Sequence, residues 1–166
     1  CFGSDDVMSD AEVISLAYNA YRLLGLDDVT IKLNSLGDNE SRNTYREKLV
    51  EYFKPHINNL CEDCQERLKS NPLRILDCKI DAENDILKNA PKTLDYLNKE
   101  SKSRFEKLKD LLDMMDINYE IDERLVRGLD YYNHTVFEVV LNNSYALGGG
   151  GRYNGLVEAL DGTSTP

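Results

Sequence analysis

No apolar run in this 166-residue sequence approaches the ~20 residues a membrane-spanning helix needs. Nor does the chain open with a basic stretch leading into an apolar core, so nothing marks it for secretion. A soluble, cytoplasmic protein with no membrane partner is the expectation. Basic residues are also scarce, 20 against 30 acidic ones for a net charge of -10, which argues against broad, nonspecific nucleic-acid binding. The shortage is uneven. Residues 38–117 hold 15 basic and 17 acidic side chains, so most of the negative surplus lies in the flanks. The middle keeps a cluster at Lys99, Lys102, Arg104, Lys107 and Lys109 that can meet a polyanion locally, although such a cluster is more often a solvated helix face. Only four cysteines are present, and without secretory signals they are expected to be free thiols. A methionine start is missing too: the chain begins at Cys1 and stops at Thr163-Ser164-Thr165-Pro166, and we read it as an excised piece of something longer.

What is present suffices for about one domain, or one with an insertion, since 41% of the residues are apolar. Ser9-Asp10-Ala11-Glu12 has the form of a capping box and predicts a helix starting there, with Val13, Ile14, Ala17, Ala20, Tyr21 and Leu24 as its apolar stripe and Gly25 as its stop. Val29, Ile31 and Leu33 alternate as in a strand, closed by a turn at Asn34–Gly37. From Asp38 to Met115 the pattern becomes helical, punctuated by Pro55, Pro72 and Pro91, with one short strand near Leu73–Leu76. Two apolar stripes, Tyr45, Leu49, Tyr52 and Phe53 and then Phe105, Leu108, Leu111, Leu112 and Met115, are expected to be core packing. Strand periodicity returns at Tyr119, Ile121, Glu123 and Leu125 and again at Thr135–Leu141, the latter apolar enough for a central strand. A turn at Asn142-Asn143-Ser144, a short strand at Tyr145–Leu147 and a helix from Asn154 to Leu160 complete the reading. Short strands joined by tight turns predict an α+β fold, with a largely antiparallel sheet and an inserted helical module.

The chemistry concentrates in Arg127-Gly128-Leu129-Asp130-Tyr131-Tyr132 and in Gly148-Gly149-Gly150-Gly151-Arg152-Tyr153. Arginine stays charged, and its planar fork of donors suits a phosphate or carboxylate, so Arg127 is a candidate anion holder. Tyr131 and Tyr132 combine apolar faces with hydroxyls, which suits a small ring bearing polar nitrogens. The glycine run matches neither a dinucleotide fingerprint nor a phosphate loop, because Tyr153 and Asn154 stand where a further glycine belongs and Leu156 where a lysine belongs. Its expected use is to let backbone lie flat beneath a ligand, with Arg152 and Tyr153 pointing into the same pocket. Cys61-Glu62-Asp63-Cys64 sets two thiols at metal-knuckle spacing, and Cys78 and His56 are the residues that would complete four ligands. With no second CxxC, no structural metal is predicted. His134 is read as a polar contact and left out of the catalytic set.

LVRGLDYYNHTVFE (residues 125–138) and GGGRYNGLVEAL (149–160) closely resemble the histidine-specific signatures of the histidyl-tRNA synthetase family, which are class II aminoacyl-tRNA synthetases. LNSLGD (33–38) and CQERLKSNPLRILDCK (64–79) are similar to the helical insertion domain of the bacterial type, so the resemblance covers the whole chain. It implies part of the class II antiparallel sheet with flanking helices, divided as catalytic core at 1–37, helical insertion at 38–117 and catalytic core again at 118–166. It implies ATP-dependent activation of histidine and transfer to tRNA(His), with Mg2+ accompanying ATP, by a homodimer. By the same resemblance Arg127 is the catalytic residue, acting on the α-phosphate, and also binds histidine together with Tyr131, Tyr132 and Tyr153, and Gly149, Gly150 and Gly151 supply pocket backbone. The family's other signatures and its anticodon-binding domain have no counterpart in these residues, so the piece by itself is not expected to form histidyl-adenylate. Two rival readings stand beside this one. The first is the noncatalytic paralogue that regulates ATP phosphoribosyltransferase, which typically lacks the helical insertion. The second is a metal-binding or protein-binding module built on Cys61, Cys64 and Cys78.

Overall fold

The structure, a computed structural model, describes residues 1–126, 131–142 and 144–166. Helix α1 (Val7–Leu23) starts earlier than the Ser9 capping box predicts, because the Asp6 carboxylate accepts the Met8 N–H at 2.9 Å and takes over the cap. Ser9 therefore lies within the helix, its hydroxyl donating to Ser4 Oγ. The buried stripe is Val7, Ala11, Ile14 and Tyr18, while Val13 and Leu24 of the expected stripe are exposed. Gly25, at φ 86°, ends the helix as read, since a left-handed residue there favours glycine.

Four strands form one sheet in the order β2-β1-β3-β4: β1 (Val29–Ser35), β2 (Tyr119–Ile121), β3 (Asn133–Leu141) and β4 (Tyr145–Arg152). The β1/β3 and β3/β4 pairs are antiparallel, with Ile31 opposite Val139 and Phe137 opposite Gly150. The sheet is thus largely antiparallel, as expected, but the β1/β2 pair is parallel and makes it mixed. The cause is the long connection through the helices, a crossover that returns the chain beside β1 in the same direction. β2 also stops at Ile121, short of Leu125, because the chain turns there and the Leu125 N–H donates to the Asp122 carbonyl. β4, in contrast, runs through the glycines instead of ending at Leu147.

Between β1 and β2 lie helices α2 (Asn39–Phe53), α3 (Glu62–Ser70), α4 (Asp85–Lys88) and α5 (Lys99–Met114), linked by 3-10 turns. Asp38 caps α2 by accepting the Ser41 N–H at 2.9 Å. The segment read as a strand near Leu73–Leu76 is a 3-10 turn over Pro72–Ile75, with Pro72, Leu73 and Ile75 all buried. A short apolar run carries no period of its own, and the leading proline favours the turn.

Two apolar clusters hold the molecule together. In one, Tyr45, Leu49 and Phe53 of α2 pack with Leu60, Leu73 and Ile75 and reach Val126, Tyr132 and Val136. In the other, α1 and the Phe105, Leu108 and Leu112 stripe of α5 cover the sheet at Ile31, Leu33, Phe137 and Val139. Each such side chain, fully buried, contributes about 1.5–3 kcal/mol. Tyr52 sits at the cluster edge and donates its hydroxyl to the Ile86 carbonyl, and Met115 is partly exposed. After β4 the chain forms only one helical turn, α6 (Leu156–Ala159), shorter than the predicted Asn154–Leu160. Among the described residues no helix is long and apolar enough to cross a membrane.

Candidate functional site

Tyr131 and Tyr132 stand just before β3 and Tyr153 just after β4. Because Asn133 pairs with Arg152 in the antiparallel ladder, these two strand ends are neighbours and the three rings meet. Centroids of Tyr131 and Tyr132 are 4.8 Å apart, and Tyr153 presents edges to both at 5.6 and 5.8 Å. Tyr132 is buried, whereas Tyr153 is 39% exposed and faces a cleft of about 300 Å³. That volume suits a ligand the size of an amino acid.

Gly149, Gly150 and Gly151 form a wall of this cleft. A Cβ at Gly151 would lie 2.4 Å from the Thr135 carbonyl oxygen and 2.9 Å from Tyr132 Cδ1, and one at Gly150 would lie 3.1 Å from the Phe137 ring. The glycines thus let β4 approach β3 and the tyrosines closely, leaving flat backbone as the cleft surface. Between Asn133 and Val136 the ladder slips, and His134 adopts φ 48°. This irregularity turns Thr135 toward α1, where its hydroxyl donates to Asp10 Oδ2 at 2.9 Å.

Arg152 borders the cleft, but its guanidinium is not free for a ligand, contrary to the expectation that it points into the pocket. It donates to Asp10 Oδ1 (2.9 Å), the Ser4 carbonyl (2.9 Å), the Asp6 carbonyl (3.0 Å) and Asn154 Oδ1 (3.1 Å). Arginine is used here as a multi-donor clamp that ties β4 to the start of α1. Arg104, read as part of a solvated basic face, is instead largely buried, with NH2 3.5 Å from Asp10 Oδ2. Asp10 was missed as the hub of this network, since no local pattern links it to a residue more than a hundred positions away.

His134, read as a polar contact, makes its hydrogen bonds through its backbone. Its backbone N–H donates to the Gly37 carbonyl and its carbonyl accepts the Leu36 N–H, both at 2.7 Å, and Nδ1 has no hydrogen-bond partner. Burial, with Arg104 and Arg152 nearby, holds the imidazole below its ordinary pKa against the opposing pull of Asp38 and Asp5. Arg127, the expected phosphate-binding residue, lies outside the described residues.

The three cysteines of the helical segment also come together, at a place apart from the cleft. Cys61 precedes α3, Cys64 is in its first turn, and Cys78 follows the Pro72–Ile75 turn. Their fourth neighbour is Asp81, not His56: one donor atom from each of Cys61, Cys64, Cys78 and Asp81 lies within 4.8 Å of the others. His56 stacks near Tyr52, with ring centroids 5.7 Å apart. Asp81 was not among the expected ligands, although Cys78-x-x-Asp81 repeats the spacing of Cys61-x-x-Cys64 with a carboxylate in place of the second thiol.

A helix-backed mixed sheet with a cleft lined by Tyr132, Tyr153 and glycine backbone defines an α+β core, and comparison with known proteins makes it specific. The family model described as histidyl-tRNA synthetase matches residues 1–166. Histidine-tRNA ligases of Bacillus velezensis and Bacillus subtilis are 55% and 53% identical over 99% of this chain. The solved apo histidyl-tRNA synthetase of S. aureus superposes with a TM-score of 0.78 at 43% identity, again over 99% of this chain and 41% of that one. A structure from Bacillus halodurans C, described as an ATP phosphoribosyltransferase regulatory subunit/histidyl-tRNA synthetase, matches at TM-score 0.60 and 21% identity and shares the fold. This chain belongs to the histidyl-tRNA synthetase family. It spans about 40% of the length of the curated relatives it matches.

Proposed function

We propose that this chain contributes the histidine pocket and the adjoining insertion of a protein that activates histidine with ATP and transfers it to tRNA(His). The observation that carries this reading is that Tyr132 and Tyr153 line a cleft walled by Gly149–Gly151, with the Tyr131 ring packed against both, in a chain whose relatives bear that activity by name. In the reaction a histidine carboxylate oxygen attacks the α-phosphorus of ATP, the bond to the bridging oxygen breaks, and pyrophosphate leaves. Arg127 supplies a fixed cation where charge develops on the α-phosphate and borders the amino-acid site, while the tyrosines seat the imidazole. Mg2+ enters as the counterion of the nucleotide substrate. Residues 1–37 and 118–166 serve the catalytic core and 38–117 the insertion that approaches tRNA, in a cytoplasmic homodimer.

Histidine-dependent ATP–pyrophosphate exchange tests this on the full-length protein. Replacing Arg127 with alanine is expected to lower kcat by about 10²–10³, the range for losing one preorganised donor at a developing charge. The isolated chain is expected to be silent. Absence of exchange in the full-length protein would overturn the reading and favour the noncatalytic regulatory paralogue.

A further inference from the structure

We propose that Cys61, Cys64, Cys78 and Asp81 form a closed, structural Zn2+ site that pins the start of α3 to the loop following the Pro72–Ile75 turn. A missing second CxxC argues against such a site in the sequence, but the fold supplies the other two donors from Cys78 and Asp81. All four donor atoms lie within 4.8 Å of one another, and two of their separations match those of a tetrahedral centre. With metal–sulfur bonds of about 2.3 Å, tetrahedral ligands lie about 3.8 Å apart. Cys61 Sγ is 3.6 Å from Cys78 Sγ, and Cys78 Sγ is 3.7 Å from Asp81 Oδ2.

The donors are also oriented. Asp81 Oδ2 accepts the Cys61 backbone N–H at 3.0 Å, which fixes the carboxylate beside the thiols in the way outer hydrogen bonds fix metal ligands. Cys64, Cys78 and Asp81 are buried, so the fourth position is filled by protein and not by exchangeable water. Four protein ligands are the pattern of structural zinc, whereas catalytic zinc keeps a position open. Three sulfur donors with one carboxylate favour zinc over copper(I), which prefers soft donors only, and over magnesium or calcium, which prefer oxygen. On binding, each thiol releases its proton to solvent, and no redox step is involved.

The local architecture gives the ion a purpose. From Lys54 to Tyr96 the chain forms only 3-10 turns, the nine-residue α3 and the four-residue α4. Elements this short have few regular backbone hydrogen bonds to hold them, and a cross-link between residues 61 and 81 adds a restraint to the packing of Leu60, Leu73 and Ile75.

The protein, prepared in zinc-containing medium and kept under a non-chelating reductant, is expected to carry about one zinc per chain by elemental analysis. Cobalt substitution is expected to give intense tetrahedral ligand-field bands with thiolate-to-cobalt charge transfer. A mercurial titration read by a zinc-sensitive dye should release the metal as the thiols react. Cys78→Ser and Asp81→Asn should each lower occupancy at least about tenfold, and His56→Ala should leave it unchanged. Protein without bound metal whose three thiols all titrate would overturn the proposal, as would a disulfide revealed by a two-hydrogen mass loss, or full occupancy in Asp81→Asn. Should Cys78→Ser fail to fold, the mercurial titration of the unaltered protein still decides.

Discussion

Replacing Arg152 with methionine tests whether the clamp between β4 and α1 holds the cleft wall in place. The Arg152 and Asp10 side chains are only 5% and 8% exposed, so their 2.9 Å contact is largely shielded from water. Asp5 is 65% exposed and its 3.4 Å contact contributes little. Methionine keeps most of the side-chain volume but leaves Asp10 with the Thr135 hydroxyl and a weaker Arg104 contact at 3.5 Å, and leaves the Ser4 and Asp6 carbonyls without that donor. Breaking a buried pair by removing one partner costs about 3–5 kcal/mol, and the remaining Asp10 partners place this case at the lower end, about 3 kcal/mol. Urea unfolding read by far-ultraviolet dichroism measures the loss. The loss should also change little between low and high salt, because a shielded pair is poorly screened. A cost below about 1 kcal/mol, or one that disappears in salt, would refute the reasoning.

Gly151→Ala is expected to destabilise by about 1–3 kcal/mol and to weaken histidine binding in the full-length protein, since the added carbon meets the Thr135 carbonyl and the Tyr132 ring. Gly155→Ala, where nothing lies within 4 Å, should stay within about 0.5 kcal/mol; equal thermal shifts for the two would count against a glycine wall. His134 contributes a pH-dependent term. Its folded pKa lies below the ordinary 6.5, so the unfolded chain binds the proton first, and the term is fully present above pH 6.5 and lost as pH falls through the folded value. His134→Asn tolerates the left-handed φ of 48° and removes the titration, so its stability should fall less steeply than that of the unaltered protein as pH drops below 6.5; parallel curves would refute this.

The sequence by itself determined the features that depend on near neighbours. Alternation at Val29, Ile31 and Leu33 and the apolar run at Thr135–Leu141 yielded β1 and β3, and Gly25 marked a helix end, because strand period and left-handed stops are written in adjacent residues. The tyrosine pair and glycine run were legible as a pocket for the same reason: each is contiguous, and one antiparallel pairing brings them together. Tertiary structure decided the rest. Two cap signals compete near Asp6 and Ser9, and the helix adopts the earlier one as Val7 enters the core. The parallel β1/β2 pair follows from a long crossover, and the strand read near Leu73 became a turn whose apolar side chains are all buried. Arg152 and Arg104 meet Asp10 across long stretches of chain, and Asp81 rather than His56 joins the cysteines. Such meetings are set by which surfaces pack, a property of the whole chain; a local spacing marks Cys78 with Asp81, but none says that this pair meets Cys61 and Cys64, or that either arginine meets Asp10.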